Sequence, residues 1–172
     1  MPTSVTVTAD LGRSPRQILD LLTDQAFVEE RTAVNTTLAG RLHRHVVTDD
    51  EVVIETSAQM PGHWLPGRVR AAAQVLPTIT RRERWERATG SGTTSFDIRG
   101  VHASAEAQMS LTALPGGARM TQTVTLTVSV PLVATLIERA LAGQVANALR
   151  AELPLYDSIP DGPGEPDRQG IG

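Results

Sequence analysis

Two groups of residues in this chain have types and spacings that could do chemistry. The first is Gln144 and Asn147, set in PLVATLIERALAGQVANALRAELPLY at Pro131 to Tyr156, where apolar residues otherwise recur at helical spacing. A packed amide without a partner costs about 1 to 3 kcal/mol, whereas an aliphatic side chain in its place gains about 1.5 to 3 kcal/mol. Something should therefore hydrogen-bond both amides. In one reading they line a cavity beside the small residues Ala140 and Gly143 and hold a ligand's polar group. In the other, water, a backbone carbonyl or a wider polar face satisfies them.

The second group is Arg81, Glu83 and Trp85 in TITRRERWER, residues 78–87. A two-residue spacing puts a guanidinium, a carboxylate and an indole on one face of a strand. The carboxyl pKa rises if the group is buried alone and falls if it meets arginine, so Glu83 is a candidate acid or base. The alternative, which the dense charge favours, is a solvated ladder on an edge strand or an exposed face.

Other candidates are thinner. His43 and His45 form an HxH pair that can begin a metal site, but His63 and His102 belong to other elements and no third ligand is evident, so exposed strand histidines are expected. Trp64, with Met60, His63 and Leu65, follows a strand, where it either gates a cavity or packs. Met109 and Gln122 fall on inward strand positions and are candidate cavity walls. No Gly-rich phosphate loop, nucleophile elbow or HExxH pattern occurs.

Composition narrows the chemistry further. The 172 residues contain no cysteine, which excludes disulfides, thiol catalysis and cysteine-ligated metal, and suits a reducing compartment. All 16 basic residues are arginine, so lysine Schiff-base chemistry is excluded as well. A net charge of −3 disfavours a nucleic-acid partner. No apolar run reaches the roughly 20 residues of a membrane span and no signal-peptide pattern opens the chain, so a cytoplasmic protein without stable membrane insertion is expected. Phe27, Trp64, Trp85, Phe96 and Tyr156 are the whole aromatic set. A core of Val, Leu, Ala and Met must follow, and such a core can leave space.

The elements that would position these residues read off in order. TSVTVTA at Thr3–Ala9 alternates as a strand. Ser14-Pro15 caps a helix through Leu22, and Thr23-Asp24 begins a second, with Phe27, Val28 and Val34 inward and Glu29, Glu30 and Arg31 outward. Thr36–Val47 and Val52–Met60 form a hairpin about Thr48–Glu51, with Val52, Ile54, Thr56, Ala58 and Met60 on one face. His63–Leu76 is broken by Pro66-Gly67 and then turns helical. Thr78–Arg87 pairs with Thr94–Arg99, and Ala103–Leu114 with Met120–Val130, whose even positions point inward. The last stretch is a helix of about five to six turns, with Val133, Leu136, Ile137, Ala140, Leu141, Ala148 and Ala151 inward and Glu138, Arg139, Arg150 and Glu152 at the margins or behind. The class is α+β, in order β-α-α-β-β-β-β-β-β-α. One domain over residues 1–157 is expected, with the Pro-, Gly- and Asp-rich residues 158–172 as a disordered tail.

This element order, and the segments SVTVTADLGRSPRQILDLLTDQAFVEER, TRRERWE and VSVPLVATLIERALAGQVANAL, resemble the START-like superfamily of polyketide cyclases, lipid-transfer domains and pollen allergens, in particular a bacterial branch described as a domain of unknown function. The likeness covers about residues 3–156. It implies a helix-grip fold, a curved antiparallel sheet wrapped around the long C-terminal helix, with a cavity between them for a hydrophobic or amphipathic small molecule. It transfers no catalytic residue and no cofactor. The leading expectation is binding or carriage without catalysis, with Gln144, Asn147, Ala140, Gly143, Glu83, Trp85, Met109, Gln122 and Trp64 as ligand-binding positions. The alternatives are a cyclase- or hydratase-type enzyme using Glu83, and an interaction or homodimerisation module with a filled cavity.

Overall fold

The computed structural model describes residues 2–34, 40–65, 67–72, 77–100, 102–129 and 134–158. Seven antiparallel strands, β1 (Thr3–Leu11), β2 (Gly40–Val47), β3 (Glu51–Gln59), β4 (Thr78–Glu86), β5 (Ser91–Arg99), β6 (Ala103–Leu114) and β7 (Gly117–Val128), form one curved open sheet. Their order is β1-β7-β6-β5-β4-β3-β2. Helices α1 (Pro15–Thr23) and α2 (Gln25–Val34) follow β1, a 3-10 turn at Gly62–Trp64 and α3 (Gly67–Ala72) cross from β3 to β4, and α4 (Ala134–Glu152) and α5 (Leu155–Ser158) close the chain.

Local chemistry accounts for these boundaries. Ser14 accepts from the Gln17 backbone N–H while Gln17 reaches back to Ser14, a reciprocal cap with Pro15 at the first helical position. Asp24 accepts from the Ala26 backbone N–H where α2 begins. Pro154 follows α4 closely, and the chain turns there into α5, so the single helix expected to Tyr156 is two. Residues 35–39, 131–133 and 159–172 carry the start of the second expected strand, the head of the last helix and most of the expected tail, and they lie outside the described residues.

Strand alternation puts one face of the sheet inside, and two helical layers share it. Residues near one end, among them Ile79, Ile98, Ala105, Val124 and Leu126, pack under Ile137, Leu141, Ala146 and Leu149 of α4. Residues near the other end, among them Val52, Ile54, Trp85, Met109 and Met120, pack under Ile18, Leu22, Phe27 and Val28 of α1 and α2. Gly92 makes the second half fit, because it pairs with Trp85 across β4 and β5 and a Cβ there would come within 2.8 Å of the Trp85 ring and 2.9 Å of the Met109 methyl carbon.

Between the two apolar halves runs a polar seam: Thr56 on β3, Arg81 and Glu83 on β4, Thr94 on β5 and Gln122 on β7, all on the inner face. Thr94 donates to the Met109 sulfur and Gln122 to that of Met120. The alternation that makes β4 half of a core thus carries its charges inward too.

Candidate functional site

β4 is an interior strand, bonded to β3 and β5, so the solvated edge favoured from its charge is corrected for one of its faces. Its outer face does form such a ladder, with Arg82 beside Glu55 and Arg84 beside Glu51. Its inner face builds a buried network. Arg31 donates twice to Glu83, at 3.0 and 2.9 Å, and once to the Tyr156 hydroxyl at 2.8 Å. Arg81 reaches Glu83 at 2.8 Å and the two oxygens of Glu152 at 2.8 and 3.1 Å. The Trp85 indole N–H also donates to Glu83. Arg31, expected to face outward on α2, is 3 % exposed. A helical arginine facing the seam can be buried because the partners that neutralise it wait on the sheet.

Electrostatics follow from that geometry. Burial pushes the Glu83 carboxyl up, but Arg31 and Arg81, with the hydrogen bonds from Arg31 and Trp85, outweigh it and hold it at about 2. Burial would likewise depress Arg31, and the facing Glu83, with Tyr156 and Glu152, holds it well above the ordinary arginine value. Burial raises the Tyr156 hydroxyl, with Arg31 opposing. Glu83 is therefore ionised at neutral pH, and its two oxygens already accept from Arg31 and Trp85 and form an ion pair with Arg81. This state suits a structural anion and not a proton-transferring acid or base.

Beside the network lies a partly open pocket of about 80 Å3. Ala58 of β3, Ile79 of β4, Phe96 and Ile98 of β5, Ala105 of β6 and Val145, Ala148 and Leu149 of α4 supply apolar wall. Arg31 and Thr32 of α2, Gly40, Thr56, Trp64, Arg81 and Glu152 complete it. The Arg81 guanidinium also lies 5.8 Å from the centre of the Phe96 ring. Trp64 is 3 % exposed, yet among the described residues its indole N–H has no hydrogen-bond partner, and neither has the buried Nε–H of Arg81.

The expected site residues divide. Trp64 lines the cavity, and Glu83 lies one ion pair away from it. Trp85 and Met109 belong to the apolar half under α1 and α2, and Gln122 is buried against Met120, none of them in the cavity wall. The expected α4 positions lie outside that wall. Gly143 and Asn147 are exposed, a Cβ on Gly143 would meet nothing within 4 Å, and the Asn147 side-chain oxygen accepts from Arg150. Ala140 and Gln144 are half-buried outside the cavity wall, and Leu136 is 55 % exposed.

The buried face of α4 centres near Val145, turned about 100° from the expected stripe. The physical reason is that Glu138 and Glu152 point inward. Glu138 accepts from the Thr3 hydroxyl and the Val128 backbone N–H, and Glu152 meets Arg81. Sequence reading placed both carboxylates at the helix margin and so missed Arg31, Glu152, Val145 and Leu149. The run Ala142, Val145, Ala146, Leu149 was the available signal for this face.

The two strand histidines also separate. A bulge between Leu42 and Arg44 takes His43 out of register, where it bonds to Ser57, while the His45 ring bonds to the Leu22 carbonyl at 2.8 Å. No group of three or more His, Asp or Glu suited to a metal ion occurs among the described residues. No described helix is long and apolar enough to cross a membrane.

The model of a family described as "Protein of unknown function (DUF2505)" matches residues 6–157. No curated protein matches the chain. Among solved structures, the Zhui aromatase/cyclase from Streptomyces sp. R1128 superposes with a TM-score of 0.62 at 11% identity, covering 91% of this chain and 92% of its own. TTHA0849 from Thermus thermophilus gives 0.61 at 12%, covering 90% and 97%. A START superfamily protein from Mycobacterium smegmatis gives 0.55 at 13%, covering 88% and 97%. At these identities the likeness establishes the START-like fold.

Proposed function

We propose, for a chain that belongs to the DUF2505 family, that it binds or carries a hydrophobic or amphipathic small molecule in the cavity between the sheet and α4, without transforming it. The observation that carries this reading is a largely apolar wall, two of whose residues, Trp64 and Arg81, each carry a buried N–H group without a partner among the described residues. Apolar walls with a few convergent polar groups are the usual make-up of a small-molecule site, and an unmet buried donor costs about 1 to 3 kcal/mol until an acceptor arrives. The START-like fold, which typically takes small hydrophobic ligands, supports the binding part of this reading.

The volume indicates scale. A volume of about 80 Å3 accepts one end of an amphipathic molecule, and a larger ligand enters by moving the α4 or Trp64 wall. Native mass spectrometry of the protein purified from its own host tests the reading. A reproducible small-molecule adduct that is released on denaturation is expected. Bare protein after gentle purification, together with no uptake from a host lipid extract, overturns it.

A further inference from the structure

We infer that the cavity selects a neutral molecule with a hydrogen-bond acceptor, such as a ketone, ester or ether, over a carboxylate of the same size. The inference rests on the binding role proposed above. Its basis is the charge balance around Arg81. Arg31 and Arg81 stand against Glu83 and Glu152, two cations against two anions, joined by contacts of 2.8 to 2.9 Å. Three of these groups, Arg31, Arg81 and Glu152, line the cavity. An entering carboxylate would lose its hydration beside guanidinium groups that are already neutralised, and it would face Glu152 across the same cavity.

A neutral acceptor meets the opposite conditions. It brings no charge to be desolvated, and among the described residues two buried donors stand unmet in residues of the wall, the Trp64 indole N–H and the Arg81 Nε–H. Trp64 is the sharper of the two, since an indole has a single polar group, its N–H donor, and this side chain is 3 % exposed, whereas other N–H groups of the Arg81 guanidinium already meet Glu152 and Glu83. A molecule with no acceptor would leave both donors buried and unpaired. Trp85 provides an internal control, because its indole N–H is committed to Glu83.

The test uses 2-hexanone and hexanoate as probes of matched length at pH 7. The indole N–H resonances of Trp64 and Trp85 are followed in nitrogen-15-labelled protein, with Trp64→Phe assigning the pair. The ketone is expected to shift the Trp64 resonance, leave that of Trp85 in place and bind about tenfold more tightly than hexanoate. The preference should fall away in Trp64→Phe. Hexanoate binding as tightly as the ketone, or a ketone affinity unchanged in folded Trp64→Phe, overturns the inference while leaving the cavity's binding role standing. Uptake of neither probe by folded wild-type protein overturns the binding role and the inference together. The comparison of the two probes on wild-type protein requires no variant to fold.

Discussion

Arg31 on α2 and Glu83 on β4, 52 residues apart in the chain, meet through two hydrogen bonds of 3.0 and 2.9 Å, with side chains 3 % and 1 % exposed. The pair joins the helical layer to the middle of the sheet at the seam between two apolar halves. Desolvation offsets much of its attraction, so its weight lies in the cost of separating the partners.

Replacing Glu83 by Gln leaves the buried Arg31 charge without its main partner. A loss of about 3 to 5 kcal/mol in urea unfolding is expected. The double variant Arg31→Met, Glu83→Met should lose distinctly less than the sum of the single changes, since the two are one unit. Additive losses would show that the pair is not coupled.

Acid should act on the same carboxyl. Its folded pKa of about 2 lies below the ordinary 4.5, so the unfolded state binds more protons between those values. The stability that ionised Glu83 contributes is fully present above about pH 4.5 and is lost as the pH falls through about 2, a change of about 3 kcal/mol at about 1.4 kcal/mol per unit. Urea midpoints measured from pH 6 to 2 should decline over that window in the wild type and more shallowly in Glu83→Gln. Parallel profiles would remove Glu83 as the cause.

Gly92→Ala should destabilise by about 1 to 3 kcal/mol through overpacking. The added Cβ would press on the Trp85 ring, the Arg84 carbonyl and the Met109 side chain, and only the last is flexible. Thermal unfolding reads the loss, and the near-ultraviolet dichroism of Trp85 reads the displaced ring.

Two α4 variants separate the cavity face from the solvent face. Val145→Trp, which puts bulk into the cavity wall, should abolish ligand uptake in a folded protein. Gly143→Leu should leave uptake unchanged, because that position opens to solvent. Native mass spectrometry after incubation with host lipid extract compares them. Loss of uptake in Gly143→Leu with retention in Val145→Trp would reverse the assignment of the helix faces.

The strand architecture was legible because a half-buried strand writes its inner face directly as alternation. Val7 and Leu11, Val52 and Ile54, Met109 and Leu111, and Met120 through Val128 are buried at alternating positions, with Pro-Gly, Gly-Gly and Asp-Asp sequences between strands. The cap at Ser14 was legible for the same reason, since its partner lies three residues away. The site was less legible. Its polar members bond to residues 52, 71 and 125 positions distant, and no local pattern encodes those meetings.

By itself the sequence determined the α+β class, the order of the strands and the inward face of those with clean apolar alternation, while for residues 78–87, charged on both faces, period two left two choices of face open. It also placed Arg81, Glu83 and Trp85 together. Only the tertiary structure decided what that face confronts and how α4 is turned. In a helix rich in alanine the apolar stripe is nearly degenerate in rotation, and hydropathy alone assigns carboxylates to water. The contacts of Glu138 with Thr3 and Val128, and of Glu152 with Arg81, settle the rotation by about 100° and so make Val145, not Gln144, the centre of the buried face.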